Sequence, residues 1–299
     1  MTTSQDPRPA VGLIGLGNMG TAFAERLLDA GYDLVVHSRS GRKAAPLVAR
    51  GATEAGSPAE LAAAVDVVLT SLPDDEAFES VAAAVVAALR PGAVLADSST
   101  VSPGASARVA AEADDASILY LRAPVSGNPS VVRAGNLSFI VSGPPAALDR
   151  AEPVLRAIGR TIHYVGDAEQ ARIVKLAINL VIAGLAQLMA EALVLGEASG
   201  VSRGVLLETM AESAAGAPFV KYKTEPLLRD DYTATFTTSL MEKDIDLVLE
   251  AAEAGGVALP LANEIKGILR SAIEAGFGGV DFMALFPHLR GTSNQEVLR

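Results

Sequence analysis

Residues 11–31 read VGLIGLGNMGTAFAERLLDAG, and this stretch decides the fold. Val11 to Ile14 is an apolar run of strand length that passes directly into Gly15-Leu16-Gly17-Asn18-Met19-Gly20, and a helical sequence follows without a break. A strand, a glycine turn and a helix in that order form the setting in which GxGxxG marks a dinucleotide site. Gly15 allows the tight turn, Gly17 lets backbone approach a pyrophosphate, and Gly20 permits close packing of helix on strand. Leu16, Asn18 and Met19 complete the turn, and the amides at the helix N-terminus then face phosphate. By itself the motif is also compatible with a glycine-rich turn that binds nothing.

Working outward, apolar runs of strand length alternate with Ala-rich helical stretches up to about Val141: DLVVHSR, VDVVLTSLP, AVLADSST, ILYLRAPV and LSFIVSG. Such alternation predicts a Rossmann-type α/β fold, a doubly wound parallel sheet with helices on both faces. ALDRAEPVLRAIG reads as one more helix and TIHYVG as a last short strand. Beyond Gly166 nearly everything has helical period. The expected organisation is therefore a dinucleotide domain over residues 1–166 and an all-helical domain over 167–299. A length of 299 residues agrees with this, at roughly 150 residues per domain.

Composition excludes several functions. Lysine plus arginine number 24 against 35 acidic residues, and the formal net charge of -11 argues against nucleic acid or an anionic membrane as partner. With no cysteine, a disulfide framework, thiolate zinc ligation and a cysteine nucleophile are all ruled out. His37, His163 and His288 lie too far apart in sequence to suggest a helical metal motif, so no metal is expected. The polar N-terminal lead MTTSQDPRPA lacks the apolar segment of a signal peptide, which predicts a cytoplasmic protein. Ile173 to Leu195 is nearly long enough to cross a bilayer, but Lys175, Asn179, Gln187 and Glu191 favour a helix buried between domains or subunits.

The end of the second strand selects the dinucleotide. NAD sites carry Asp or Glu there to bind the ribose 2'-hydroxyl. Here the strand ends in Ser38 and Arg39, with Ser40, Arg42 and Lys43 just beyond, while Asp33 sits at the opposite end of the strand. Hydroxyls and a guanidinium suit a 2'-phosphate, which an acid would repel, so NADP(H) is the expected cofactor. The alternative is a solvated basic turn.

Four blocks then carry a resemblance over nearly the whole chain: VGLIGLGNMG from Val11, APVSGNPSVVRAGNLSFIVSG from Ala123, KLAIN from Lys175, and Glu242-Lys243-Asp244 within FTTSLMEKDIDLVL. In order and spacing the chain resembles the β-hydroxyacid dehydrogenases, the family of 3-hydroxyisobutyrate dehydrogenase and the tartronate, glyoxylate and succinic semialdehyde reductases. The resemblance implies a substrate turn at Ser126 and Gly127, a catalytic Lys175, Asn179 beside it in the substrate pocket, and the Lys243-Asp244 pair reaching the active site from the helical domain. It also implies that Phe236 lines the pocket and that Leu72, Pro73 and Thr100 touch the nicotinamide half of the cofactor. The family's substrate turn usually reads Ser-Gly-Gly, whereas Asn128 and Pro129 follow Gly127 here.

The chemistry is consistent with those positions. Hydride reduction of a carbonyl leaves an alkoxide that needs a proton, and a positioned ammonium can donate it. Lys175 lies on an otherwise apolar helix, where desolvation is expected to lower its pKa from about 10.4 toward working pH. Asn179 follows one turn on along the same face. The Ser126 hydroxyl and the amides of the following turn, with Asn128, suit a carboxylate. The expected activity is reversible interconversion of a short carboxylate-bearing aldehyde or 2-oxo acid and its hydroxyacid.

Each residue also has a plainer reading. Lys175 taken alone fits a lysine whose stem packs near a helix start, Asn179 a core hydrogen bond, Ser126-Gly127 an ordinary turn, Lys243-Asp244 a solvated pair and Phe236 simple core. Two rival functions remain: imine reductases share this fold plan but generally carry Asp or Tyr in place of Lys175, and a non-catalytic NADP-binding module would lose the lysine or add domains. The long apolar helix from about Ala171 to Ala198 further predicts a homodimer, or a tetramer built from dimers.

Overall fold

The computed structural model describes residues 8–39 and 41–296. The polar lead of residues 1–7 and Ser40 lie outside the described residues. The chain forms two compact units, residues 1–175 and 176–299.

Unit one runs β1 (Val11–Ile14), α1 (Asn18–Asp29), β2 (Leu34–His37), α2 (Ala45–Val48), β3 (Thr53–Glu54), α3 (Pro58–Ala63), β4 (Val67–Thr70), α4 (Asp75–Val86), β5 (Val94–Asp97), α5 (Pro103–Asp115), β6 (Leu119–Arg122), β7 (Val125–Ser126), α6 (Pro129–Arg133), β8 (Leu137–Ser142), α7 (Pro145–Ile158) and β9 (Gly159–Gly166). Among the described residues the sheet has the order β3-β2-β1-β4-β5-β6-β8-β7, with β9 on the other side of β8. The strands from β3 to β6 are mutually parallel, β8 runs antiparallel to β6 and β7, and β9 is parallel to β8. β1, β4 and β5 are buried along their whole length, which explains why they read as continuous apolar runs rather than alternating ones. Two apolar cores cover the two faces: Phe23, Leu27, Phe139 and Leu155 belong to one, Leu61, Phe78, Val85 and Leu95 to the other. The strand order reverses between β1 and β4, the point at which open α/β sheets bind ligands beyond their strand ends.

The long helix α8 (Gln170–Ala198) belongs to both units, which divide between Lys175 and Leu176. The sheet ends at Gly166, yet the first turn of α8 is anchored in unit one. The Ser142 hydroxyl donates to Ala168 O and accepts from Ala171 N, and Arg122 pairs with Glu169. Arg172 is buried there to 1 % exposure.

Unit two continues from Leu176 through α9 (Arg203–Glu212), α10 (Pro218–Leu228), α11 (Thr238–Ala254), α12 (Pro260–Ala272) and α13 (Leu285–Glu296). Ala183, Ala186, Met189, Ala190 and Leu193 on α8 pack with Leu207, Phe219, Met241, Ile265, Leu269 and Phe286 in one core. By length and composition α8 passes as a membrane span, and less than half of it is buried. Its exposed residues include Ile173, Val181, Leu188 and Leu195.

Candidate active site

The glycine turn has the geometry its sequence requires. Gly15 has φ +96°, and a Cβ there would lie 2.2 Å from the Ser71 carbonyl oxygen. A Cβ on Gly20 would lie 1.9 Å from Gly15 O, so α1 sits against the turn at a distance only glycine permits. Around Gly17 there is nothing within 4 Å of the Cβ position, which leaves the approach to the backbone open. Gly17 is also the N-cap of α1, and no side chain caps that helix. Its first amides thus present uncompensated donors beside an open glycine, an arrangement that fits a dinucleotide pyrophosphate. Asn18 is exposed and Met19 half-buried, whereas the Leu16 side chain lies in the core at 3 % exposure, so its expected contact falls to its backbone.

Strand β2 ends at His37, and its ring Nδ1 lies 2.9 Å from Ala55 O. Beyond it the backbone turns, with Gly41 N donating to Ser38 O. Ser38 is half-buried, and Arg39, Arg42 and Lys43 are exposed around the turn. Glu54 on β3 stands close to Gly41, an acid on the far side of the same loop.

At the ends of β4 and β5, Leu72 N donates to Ser99 Oγ at 2.8 Å. Pro73 is exposed, Leu72 and Thr100 half-buried. In the substrate turn, Gly127 has φ +142°, and a Cβ would come within 2.9 Å of Leu137 and 3.2 Å of Val131. Asn128 is the N-cap of α6: its Oδ1 accepts from Ser130 N, Ser130 Oγ and Val131 N. Backbone N–H groups can only donate, so Oδ1 must face the helix and only Nδ2 is left to meet a ligand. The Asn-Pro variation on Ser-Gly-Gly thereby reads as a helix cap, worth about 1 kcal/mol, as well as a contact. Ser126 is half-buried on β7, a strand of two residues held by β8. Lys175, the last residue of unit one, is half-buried rather than fully enclosed, so the desolvation expected from its apolar helix is partial.

In unit two, Asn179 is 4 % exposed and its Nδ2 donates to Asp244 Oδ2 at 2.5 Å. Lys243 Nζ lies 2.9 Å from Asp244 Oδ1, close enough for an ion pair but not aligned as a hydrogen bond. The Asp244 carboxylate has no exposed surface and holds its two neighbours. Phe236 is half-buried, edge-on to Phe282 at 6.1 Å and attached to the core of unit two. The loop carrying it is pinned by Asp281, which accepts from Thr235 N and Oγ1 and pairs with buried Lys223 at 2.7 Å. Sequence reasoning missed that Lys223-Asp281 pair, and also Arg172 and Asp97. Lone charges in apolar segments, QARIVK and VLAD, were their only signal. No cluster of three or more potential metal ligands occurs among the described residues.

A doubly wound sheet with this glycine turn at its first strand defines a dinucleotide-binding domain. Residues 10–166 match the family model for the NAD binding domain of 6-phosphogluconate dehydrogenase, and residues 170–289 match that for the NAD-binding region of NADP-dependent 3-hydroxyisobutyrate dehydrogenase. The 3-hydroxyisobutyrate dehydrogenase of Pseudomonas aeruginosa is 32% identical over 293 residues, spanning 94% of this chain and 98% of that protein. Glyoxylate/succinic semialdehyde reductase 2 of Arabidopsis thaliana is 29% identical over 290 residues, spanning 96% and 81%. A solved structure of Mycobacterium tuberculosis 3-hydroxyisobutyrate dehydrogenase with L-serine superposes with a TM-score of 0.86 at 32% identity, spanning 94% of this chain and 99% of that one. The chain belongs to the β-hydroxyacid dehydrogenase family. It is an oxidoreductase acting on the CH–OH group of hydroxyacids.

Proposed function

We propose that the protein is an NADP(H)-dependent reductase of a short aldehyde or 2-oxo acid bearing a carboxylate, such as a semialdehyde or glyoxylate, and that it runs reversibly as a hydroxyacid dehydrogenase. The observation that carries this reading is the open glycine turn at the uncapped N-terminus of α1, in a chain that keeps a half-buried Lys175 on α8. The bound nicotinamide supplies or accepts the hydride. Lys175 as an ammonium gives a proton to the developing alkoxide, and as an amine takes it back in the oxidative direction. The Ser126 hydroxyl, the amides after it and Asn128 Nδ2 receive the carboxylate, and Gly127 keeps the turn in the one conformation that exposes them. Asn179 follows Lys175 by one turn of α8, and Asp244 fixes its amide so that a single orientation serves the substrate. Leu72, Pro73 and Thr100 support the nicotinamide half, and the roles of the Lys243-Asp244 pair and Phe236 are carried over from the family resemblance.

A panel of semialdehydes, glyoxylate and β-hydroxyacids, assayed with NADPH and NADH, tests this reading. Turnover is expected with carboxylate-bearing carbonyls and NADPH. Activity confined to a cyclic imine would assign the protein to the imine reductases instead, and NADPH binding without turnover of any substrate would make it a non-catalytic module.

The same reading includes a homodimer, or a tetramer of dimers. Val181, Leu188 and Leu195 are 62%, 60% and 71% exposed and follow one another at seven-residue intervals, which keeps them on one seam of α8. Leu289 of α13 borders the apolar depression that Leu188 and Leu195 line. Three large aliphatic side chains on one stripe suit burial against a second copy. Sedimentation at micromolar concentration is expected to show a dimer or larger, and Leu188→Glu to shift it toward monomer. A wild-type monomer would refute the assembly.

A further inference from the structure

Arg172 is among the largest side chains that are fully buried, and each of its three guanidinium nitrogens is engaged. Nε donates to Ser106 Oγ at 3.2 Å, Nη1 to Ser99 O at 2.7 Å, and Nη2 to Asp97 Oδ2 at 2.6 Å and to Tyr120 Oη at 2.9 Å. Asp97, with no exposed surface, uses its other oxygen to accept from Thr70 Oγ1 and Ser99 Oγ. Ser99 Oγ in turn accepts from Leu72 N. One chain of bonds therefore joins three segments: the loop after β4 with Leu72 and Pro73, the loop after β5 with Ser99 and Thr100, and the first turn of α8, which leads into the second turn with Lys175 three residues beyond Arg172.

A buried ion pair is a poor device for stability, because its desolvation costs about as much as its attraction returns, and apolar replacement of similar volume is often neutral. What such a network does supply is a fixed geometry, since its buried donors and acceptors can satisfy one another only in one arrangement. Tyr120 fits the same view. Burial raises its phenol pKa further than the neighbouring Arg172 lowers it, so it remains a neutral hydrogen-bonding partner and the charge balance is left to Arg172 and Asp97.

We infer that Arg172 is a positioning residue that, through Asp97 and Ser99, sets the nicotinamide-side loops in register with the helix turn bearing Lys175. It touches neither cofactor nor substrate. The inference rests on the proposed function for the identity of those loops and of the lysine, and its test includes a measurement that needs no turnover.

Arg172→Met alone leaves Asp97 buried and unpaired, a change that can unfold the protein. The decisive variant is therefore Arg172→Met/Asp97→Asn, which removes both charges, with Arg172→Lys as the conservative control. NADPH is titrated into each protein, following its nicotinamide fluorescence, alongside steady-state kinetics on the best panel substrate and thermal melts. In the folded double variant the Kd for NADPH is expected to stay within about threefold of wild type, because the glycine turn is untouched, while the enhancement of nicotinamide fluorescence falls to less than about half. The same variant is expected to lose about a hundredfold in kcat, the scale of a misplacement near 1 Å, with the carbonyl KM within about threefold. Arg172→Lys should recover part of both signals by restoring the charge opposite Asp97. If a folded double variant keeps wild-type fluorescence and kcat, or if both fall only in proportion to the melting temperature, Arg172 is structural and the inference is overturned. Should the wild-type protein turn over no substrate, the proposed function fails, and the fluorescence comparison still decides the role of Arg172.

Discussion

Lys175→Ala is expected to lower kcat by about 10²- to 10⁴-fold, the range for loss of a positioned general acid, while leaving the Kd for NADPH nearly unchanged. The lysine is half-buried at the second turn of α8 and takes no part in the glycine turn, so binding and chemistry separate at this position. Its removal leaves the alkoxide to be protonated by water. It opens no core cavity of consequence, so a melting temperature close to wild type should accompany the loss. Single-turnover oxidation of bound NADPH, followed by absorbance, isolates the chemical step from product release. Wild-type rates in that assay would refute the mechanism at its centre, since no cysteine exists to replace the lysine and His163 lies on an edge strand of the sheet.

The elements that could be read from sequence are those whose signal is local. β1, β4 and β5 are buried from end to end because both faces are covered, α1 has a clear helical period, and α8 is a long apolar run of helix formers. β3 and β7, of two residues each, are strands only because a neighbour pairs with them, so no pattern in TE or VS could announce them. α10 contains Pro226 and α13 contains Gly291 in their interiors, so both run against helix propensity and lean on packing in unit two. The glycines of the turn could be assigned individual duties in advance because each duty is steric and belongs to its own backbone. Arg172 could not. Its partners Asp97, Ser99, Ser106 and Tyr120 lie 52 to 75 residues away in sequence, and only the fold brings five polar groups into one dry cluster.

The division of the chain inside α8 follows from the same cluster. A helix change at Gly166 is what periodicity detects, because strand pattern stops there. Compactness is decided by contacts, and the side-chain contacts of Glu169 and Arg172 and the Ala171 amide bond return to β5, β6, β8, α5 and the loop after β5, all in unit one. The helix turn preceding Lys175 is therefore held in the sheet unit, and the proposed general acid is carried by the unit that also carries the glycine turn.

Arg39→Ala is expected to reduce the ratio of NADPH to NADH catalytic efficiency by about 10- to 100-fold, corresponding to about 1.5–3 kcal/mol for a charge-assisted hydrogen bond to the 2'-phosphate. Arg39 is exposed, so solvent screening favours the lower end of that range, and Arg42 and Lys43 on the same turn soften the loss further. The efficiency with NADH should change little, which distinguishes loss of a phosphate contact from damage to the loop. Glu54 provides the opposing case. It stands beside Gly41 on the neighbouring strand, where a carboxylate suits a ribose 2'-hydroxyl and repels a 2'-phosphate. If Glu54 governs the site, Arg39→Ala leaves the ratio unchanged and Glu54→Gln lowers the efficiency with NADH instead. Three cations on the exposed turn against one acid on the edge strand favour the phosphate, and their attraction is electrostatic, so the NADPH preference should also shrink as ionic strength rises. An NADPH to NADH ratio insensitive to both Arg39→Ala and salt would reverse the cofactor assignment.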